Sequence, residues 1–138
     1  MYAPPAWLSL EPKAYADILR RKAVAVARRD RKRGGRYSVK GAMDAIHQAF
    51  CASDGIDPYD GQPMDPQLLG TYDNAESKAR GVAYKREFNR LPTVDHVNAE
   101  PKPEFEIVSW QTNDAKGDMS PDEFRDFCRR VAAFTAPG

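Results

Sequence analysis

The segment from Leu91 to Trp110 constrains this chain more than any other. Thr93-Val94 and Phe105-Glu106-Ile107-Val108-Ser109-Trp110 are β-branched and aromatic runs, and a polar, proline-bearing connection from Asn98 to Pro103 separates them. Such runs read as two short strands joined by a turn. Asn113 to Gly117 reads as a short helix directly after the second strand. Ser120-Pro121-Asp122-Glu123 then starts another helix, with Pro121 at the first helical position and Glu123 three residues after the cap. Phe124, Phe127, Cys128 and Val131 would line its apolar face. Trp110 and the Phe124/Phe127 pair are expected in the core.

Upstream the pattern is helical. Over residues 11–33, Pro12 suits a first turn, alanine is frequent and Gly34-Gly35 closes the segment. Tyr15, Ile18, Leu19, Ala23 and Val26 recur at three- and four-residue steps and form one apolar stripe. A second helix begins with Ser38 as N-cap and runs through Ala42, Ile46, Ala49 and Phe50 to about Ala52. The two would pack as a helical hairpin, with His47 as a structural residue within it. From Asp54 to Tyr72 turn formers dominate, with a short hairpin around Tyr59 and Met64. Residues 74–90 read as a loop with one ordered piece near Ala83 to Phe88.

Charge is strongly polarised. Residues 1–40 hold 11 Lys/Arg against 3 Asp/Glu, whereas residues 41–138 hold 10 against 17. Nine of the cations crowd between Arg20 and Arg36 with Asp30 as the single acid among them. Like charges at that density repel unless a ligand neutralises them, which points to a polyanion on one element and chemistry on another. Arg20, Arg21, Arg28, Arg29, Lys32 and Arg33 are therefore candidate nucleic-acid contacts, aimed at phosphates rather than base edges. An acidic protein surface is the other reading of the same stripe.

At 138 residues the chain is long enough for one core, and it is expected to be a single domain. No apolar run approaches a membrane span, and Met1-Tyr2-Ala3-Pro4-Pro5 lacks a signal-peptide pattern, so a cytoplasmic address without membrane contact is expected. Cys51 and Cys128 are the only cysteines. They read as reduced, partly buried thiols, too few for a zinc knuckle.

Asp95-His96 ends the first strand, and Asn113-Asp114-Ala115-Lys116 follows the second. A carboxylate and an imidazole side by side can supply a metal ligand and a general base, the equipment of a metal-assisted phosphodiesterase. With Ile107-Val108-Ser109-Trp110, Ser120-Pro121-Asp122-Glu123-Phe124 and the upstream turn Tyr59-Asp60-Gly61-Gln62-Pro63-Met64, these residues resemble the HNH nuclease family. Its active element is a β-hairpin followed by a helix that grips one divalent ion, the ββα-metal motif. The nearest pattern is the Asp-His…Asn version of RNA-guided CRISPR nucleases. Similarity covers roughly a third of the chain and leaves the amino-terminal helices outside it.

The resemblance implies a ββα-metal core within residues 54–138, and with the basic helical hairpin read from periodicity within residues 1–53 and a carboxy-terminal helix the expected fold class is α+β. The resemblance implies DNA as the substrate, and the basic run, with no base-reading module beside it, points to a double-stranded backbone bound with low sequence specificity. His96 would activate water, and Asp95 and Asn113 would hold one Mg²⁺ or Mn²⁺. Lys116, three residues after Asn113 as in that version, would contact phosphate. Glu104 stands where the family has an asparagine that orients the histidine. A carboxylate there can accept a hydrogen bond from His96 but cannot copy an amide's donor. Two further readings therefore stay open: an HNH scaffold impaired in catalysis that binds nucleic acid or a partner, and a toxin or accessory domain working with a protein partner or as a homodimer.

Overall fold

Pro12 fills the first turn of α1 (Pro12–Lys32), where its missing N–H costs nothing. The apolar stripe expected from the sequence is buried: Tyr15, Ile18, Leu19, Ala23, Val26 and Ala27 all face inward, and so does Asp30. Ser38 caps α2 (Val39–Ala52), its hydroxyl accepting from the Gly41 N–H at 2.9 Å. α2 returns against α1 as the expected helical hairpin, with Ala23, Ala42 and Ala49 keeping the contact close around Tyr15, Leu19, Ile46 and Phe50. The architecture, seen in a computed structural model that describes residues 2–137, is α+β, with six α-helices and one two-stranded antiparallel sheet.

The sheet pairs β1 (Pro92–His96) with β2 (Phe105–Ser109) in the register Pro92↔Ser109, Thr93↔Val108, Val94↔Ile107, Asp95↔Glu106 and His96↔Phe105. Directly opposed residues share a face and successive residues alternate. Val94, Ile107, Phe105 and His96 therefore look toward the helical hairpin, whose core cluster includes Ile107 with Val94 and Phe105 packed on it. Thr93, Asp95, Glu106 and Val108 look the other way, toward α5 (Trp110–Lys116), which Ser109 caps through the Thr112 N–H at 3.1 Å.

Two local devices fix the sheet against the rest. Gly34, with φ of +93°, ends α1, and Gly35 lets the hairpin connection come close: a Cβ there would meet the Pro101 and Asp30 carbonyl oxygens at 2.7 and 2.9 Å. Arg33 donates to the Ala99 carbonyl at 2.8 Å and ties the same connection to α1. On the other side, the fully buried Asp57 carboxylate accepts from the N–H groups of Tyr59 (2.7 Å), Asp60 (3.1 Å) and Ser109 (2.8 Å). That one side chain closes the Tyr59–Gly61 turn and bolts it to the end of β2. The short hairpin expected near Tyr59 and Met64 is present as a bridge between Ile56 and Pro63, and Arg90 clamps its turn through Asp60, Gln62 and Pro63.

Several expectations are corrected. Residues 74–90 are not a loop with one ordered piece but carry α3 (Asn74–Arg80) and α4 (Val82–Arg86), begun by an Asp73 cap on the N–H groups of Ala75 and Glu76. α6 (Pro121–Ala133) has the capping box of Ser120 and Glu123, yet only Phe124 of its apolar face is buried, against Tyr59. Phe127 and Val131 stay exposed because no element among the described residues covers that side. Cys51 and Cys128 are free and exposed rather than partly buried. Trp110 is half-buried, set edge-on to Tyr72 at 4.9 Å. His47 is structural, its Nδ1 2.6 Å from the Tyr15 hydroxyl. No helix among the described residues is long and apolar enough to cross a membrane.

Candidate active site

Asn113 and Lys116 stand three residues apart on α5, and Thr93 and Asp95 stand two apart on β1. Each pair shares one face of its element, so the helix lays both side chains across the strand. The Asn113 amide donates to the Thr93 hydroxyl at 3.1 Å. The Lys116 ammonium donates to Asp95 Oδ2 at 2.9 Å and to the carbonyls of His96 and Val97 at 3.0 and 3.2 Å. An ammonium has three donors, and all three are used here. Lys116 is 1% exposed and Asp95 9%. Lys116, expected to reach phosphate, is thus sealed in the interior, because three oxygens and the overlying helix hold it there.

Across the ladder from Asp95 lies Glu106, on which the Tyr59 hydroxyl donates at 2.6 Å. Burial pushes the Glu106 carboxyl above the ordinary carboxylate range, and the Tyr59 hydrogen bond and Lys116 offset this only in part. Asp95 moves the same way for the same first cause, with Lys116 pulling against it. Arg125 lies 4.5 Å over the Tyr59 ring and completes the lid on this face.

His96 points to the opposite side. Its Nε2 is 2.7 Å from Oδ2 of Asp30 on α1, and the Tyr37 hydroxyl donates to the same oxygen. Asp30 is 2% exposed while His96 is 21% exposed, so the pair has a buried acid and a histidine at the surface. An imidazole that donates from Nε2 to a carboxylate carries its free lone pair on Nδ1 when neutral, and its ring orientation is fixed. Phe105, opposite His96 in the ladder, packs edge-on against the ring at 5.1 Å and removes another degree of freedom.

The carboxylate on His96 is therefore Asp30 and not Glu104. The Glu104 side chain is exposed, and the residue contributes its backbone carbonyl to the Val97 N–H at 3.0 Å. The connection Asn98 to Pro103 carries Glu104 past the end of the ladder, while α1 brings Asp30 directly beneath His96. Sequence reasoning noted Asp30 only as the lone acid in a basic run. That oddity was the available signal, since a carboxylate on the buried side of α1 must have partners.

The remaining candidates lie on α1. Arg20, Arg21, Arg28, Arg29, Lys32 and Arg33 are all exposed, with Arg33 spent on Ala99. As to a metal ion, no cluster of three or more His, Cys, Asp and Glu side chains is gathered among the described residues. The oxygen set around Lys116 nevertheless suits a hard cation, since one carboxylate oxygen and two carbonyls already surround a positive charge, while the Asn113 amide is engaged on Thr93. A divalent ion would have to compete with Lys116 for Asp95.

No protein-family model matches the chain, and no curated protein or solved structure matches it either.

Proposed function

We propose that this chain is a metal-dependent endonuclease of the HNH type that hydrolyses phosphodiester bonds in DNA. The observation that supports it best is the Asp30–His96 pair at 2.7 Å, which orients an imidazole as a base at the end of β1. In this reading Nδ1 of His96 takes a proton from water as the water oxygen attacks phosphorus, and the bond to the departing 3′ oxygen breaks. The imidazolium so formed is stabilised by Asp30, which keeps its own charge throughout, as in other carboxylate–histidine pairs. Asp95 and Asn113, across β1 from His96, are the residues that would hold one Mg²⁺ or Mn²⁺ if Lys116 released Asp95; bound there, the ion would supply charge stabilisation on the phosphate and the departing 3′ oxygen.

One observation favours a second reading. Lys116 already satisfies Asp95, so the same fold would be stable as a nucleic-acid-binding or partner-binding module without any ion. Supercoiled plasmid incubated with the purified protein and Mg²⁺ or Mn²⁺ separates the two. The nuclease is expected to nick it, and His96→Ala is expected to lose roughly 10²–10⁴-fold in rate. Plasmid left intact by the wild type across metals and pH removes the enzyme reading, and salt-sensitive DNA binding that survives His96→Ala would then establish the module.

A further inference from the structure

α1 and β1 do not close completely on each other. Between them runs a cleft of about 290 Å³ lined by Arg21, Lys22, Val26 and Arg29 on the helix and by Thr93 and Val94 on the strand. No acidic side chain lines it. Arg21, Lys22 and Arg29 form no ion pair among the described residues, unlike Arg33, Lys85, Arg90 and Lys116, which all find carboxylates. Lys22 is half-buried, and its ammonium is held below the ordinary lysine range by burial and then by repulsion from Arg21 and Arg29. Three cations converging without a counter-charge are an electrostatic cost that a bound anion would remove.

The cleft also has a direction. Arg29 precedes Asp30, and Val94 stands two residues before His96 on the same strand face, about 6.6 Å along the strand. The Asp30–His96 hydrogen bond joins the two walls at that point. From Lys22 to Arg29 the helix advances roughly 10.5 Å, and one nucleic-acid strand places a charge about every 3.4 Å of its axis. The cations therefore span several consecutive phosphates and lead toward the imidazole.

We propose that this α1–β1 cleft is the phosphodiester-binding groove of the protein, with Arg21, Lys22 and Arg29 holding the backbone of one nucleic-acid strand and His96 at its end. It rests on the reading of the chain as a protein that acts on DNA but not on catalysis itself. Val26 and Val94 supply an apolar wall, so contacts are to the backbone and sequence preference is weak. Lys22, which sequence reasoning did not single out as a contact, becomes the central residue.

Binding is measured without divalent ions by fluorescence anisotropy of a labelled DNA duplex, in the His96→Ala background so that no cleavage intervenes. The variant Lys22→Gln/Arg29→Gln is compared with Lys13→Gln/Arg31→Gln. That control removes the same charge from α1 at positions nine residues from Lys22, hence roughly half a turn around the helix. Loss of two phosphate contacts should lower the slope of log affinity against log salt by about two for the cleft variant and leave it unchanged for the control. Equal losses in both variants, an unchanged slope in the cleft variant, or wild-type protein that does not bind DNA would each overturn the proposal. So would polyglutamate competing as well as unlabelled DNA, which would assign the groove to acidic proteins. Plasmid nicking stands apart from all of these, because a nuclease that binds elsewhere would still cut.

Discussion

Asp95 and His96 are neighbours in the chain but belong to two differently built faces. On the Asp95 face every charge is answered internally: Lys116 uses its three donors on Asp95, His96 and Val97, and Tyr59 answers Glu106. On the His96 face the acid is answered by His96 and Tyr37, whereas the flanking Arg21, Lys22 and Arg29 are not answered at all. A closed polar network contributes to structure, whereas the one-signed surface stays without a counter-charge among the described residues. The strand's alternation separates the two roles within a single dipeptide.

The comparison breaks most visibly at Lys116. Lys116→Ala leaves a buried carboxylate without its partner and two carbonyls without a donor, and should cost about 3–5 kcal/mol in urea denaturation. Asp95→Leu/Lys116→Met removes both charges and should recover the part of that loss due to the unpaired carboxylate, leaving the two carbonyls without a donor. If the single variant unfolds at the wild-type urea midpoint, the closed face is not a structural network.

On the other face, Asp30→Ala should cost less, about 1.5–3 kcal/mol, since it removes hydrogen bonds to a carboxylate but leaves His96 able to reach water. Its specific signature is spectroscopic. In the wild type the ring ¹⁵N shifts of neutral His96 should report the proton on Nε2, and in Asp30→Ala the two tautomers should become more evenly populated. A wild-type ring with the proton on Nδ1 would contradict the assigned base.

The smallest effect concerns the bolt between the Asp57 turn and β2. Burial acts to raise the Asp57 carboxyl, but hydrogen bonds from the Ser109 and Tyr59 N–H groups and from the Thr112 and Ser109 side chains together outweigh it and hold it below the ordinary value. A carboxyl lower in the folded state contributes stability above its unfolded value, about 3.9, and loses that contribution as pH falls through its folded value. Acidification below about pH 4 should therefore destabilise the wild type more steeply than Asp57→Asn. Parallel acid limbs in the two proteins would show that this carboxylate is not held as its contacts imply.

Much of the secondary structure was legible because its causes are local. Pro12, Ser38 and the Ser120/Glu123 box announce helix starts, and the β-branched and aromatic runs around Val94 and Ile107 announce strands. Residues 74–90 hid α3, whose seven residues carry Lys78 and Arg80 and no apolar period, whereas α4 falls on the ordered piece expected near Ala83 to Phe88. The outward face of α6 shows the converse failure: a periodic stripe states that a helix is amphipathic, not that anything covers it.

By itself, then, the sequence determined which residues carry charge and where helices and strands begin, since caps, turns and periodicity act over a few residues. It also set Asp95 and His96 side by side before a helix bearing Asn113 and Lys116. Only the tertiary structure decided their partners. Asp30 and His96 meet across 66 positions, and Lys116 reaches Asp95 across 21. Such pairings follow from how α1 and α5 pack on opposite faces of one hairpin, and burial then gives each pair its strength by excluding the water that would otherwise satisfy both groups.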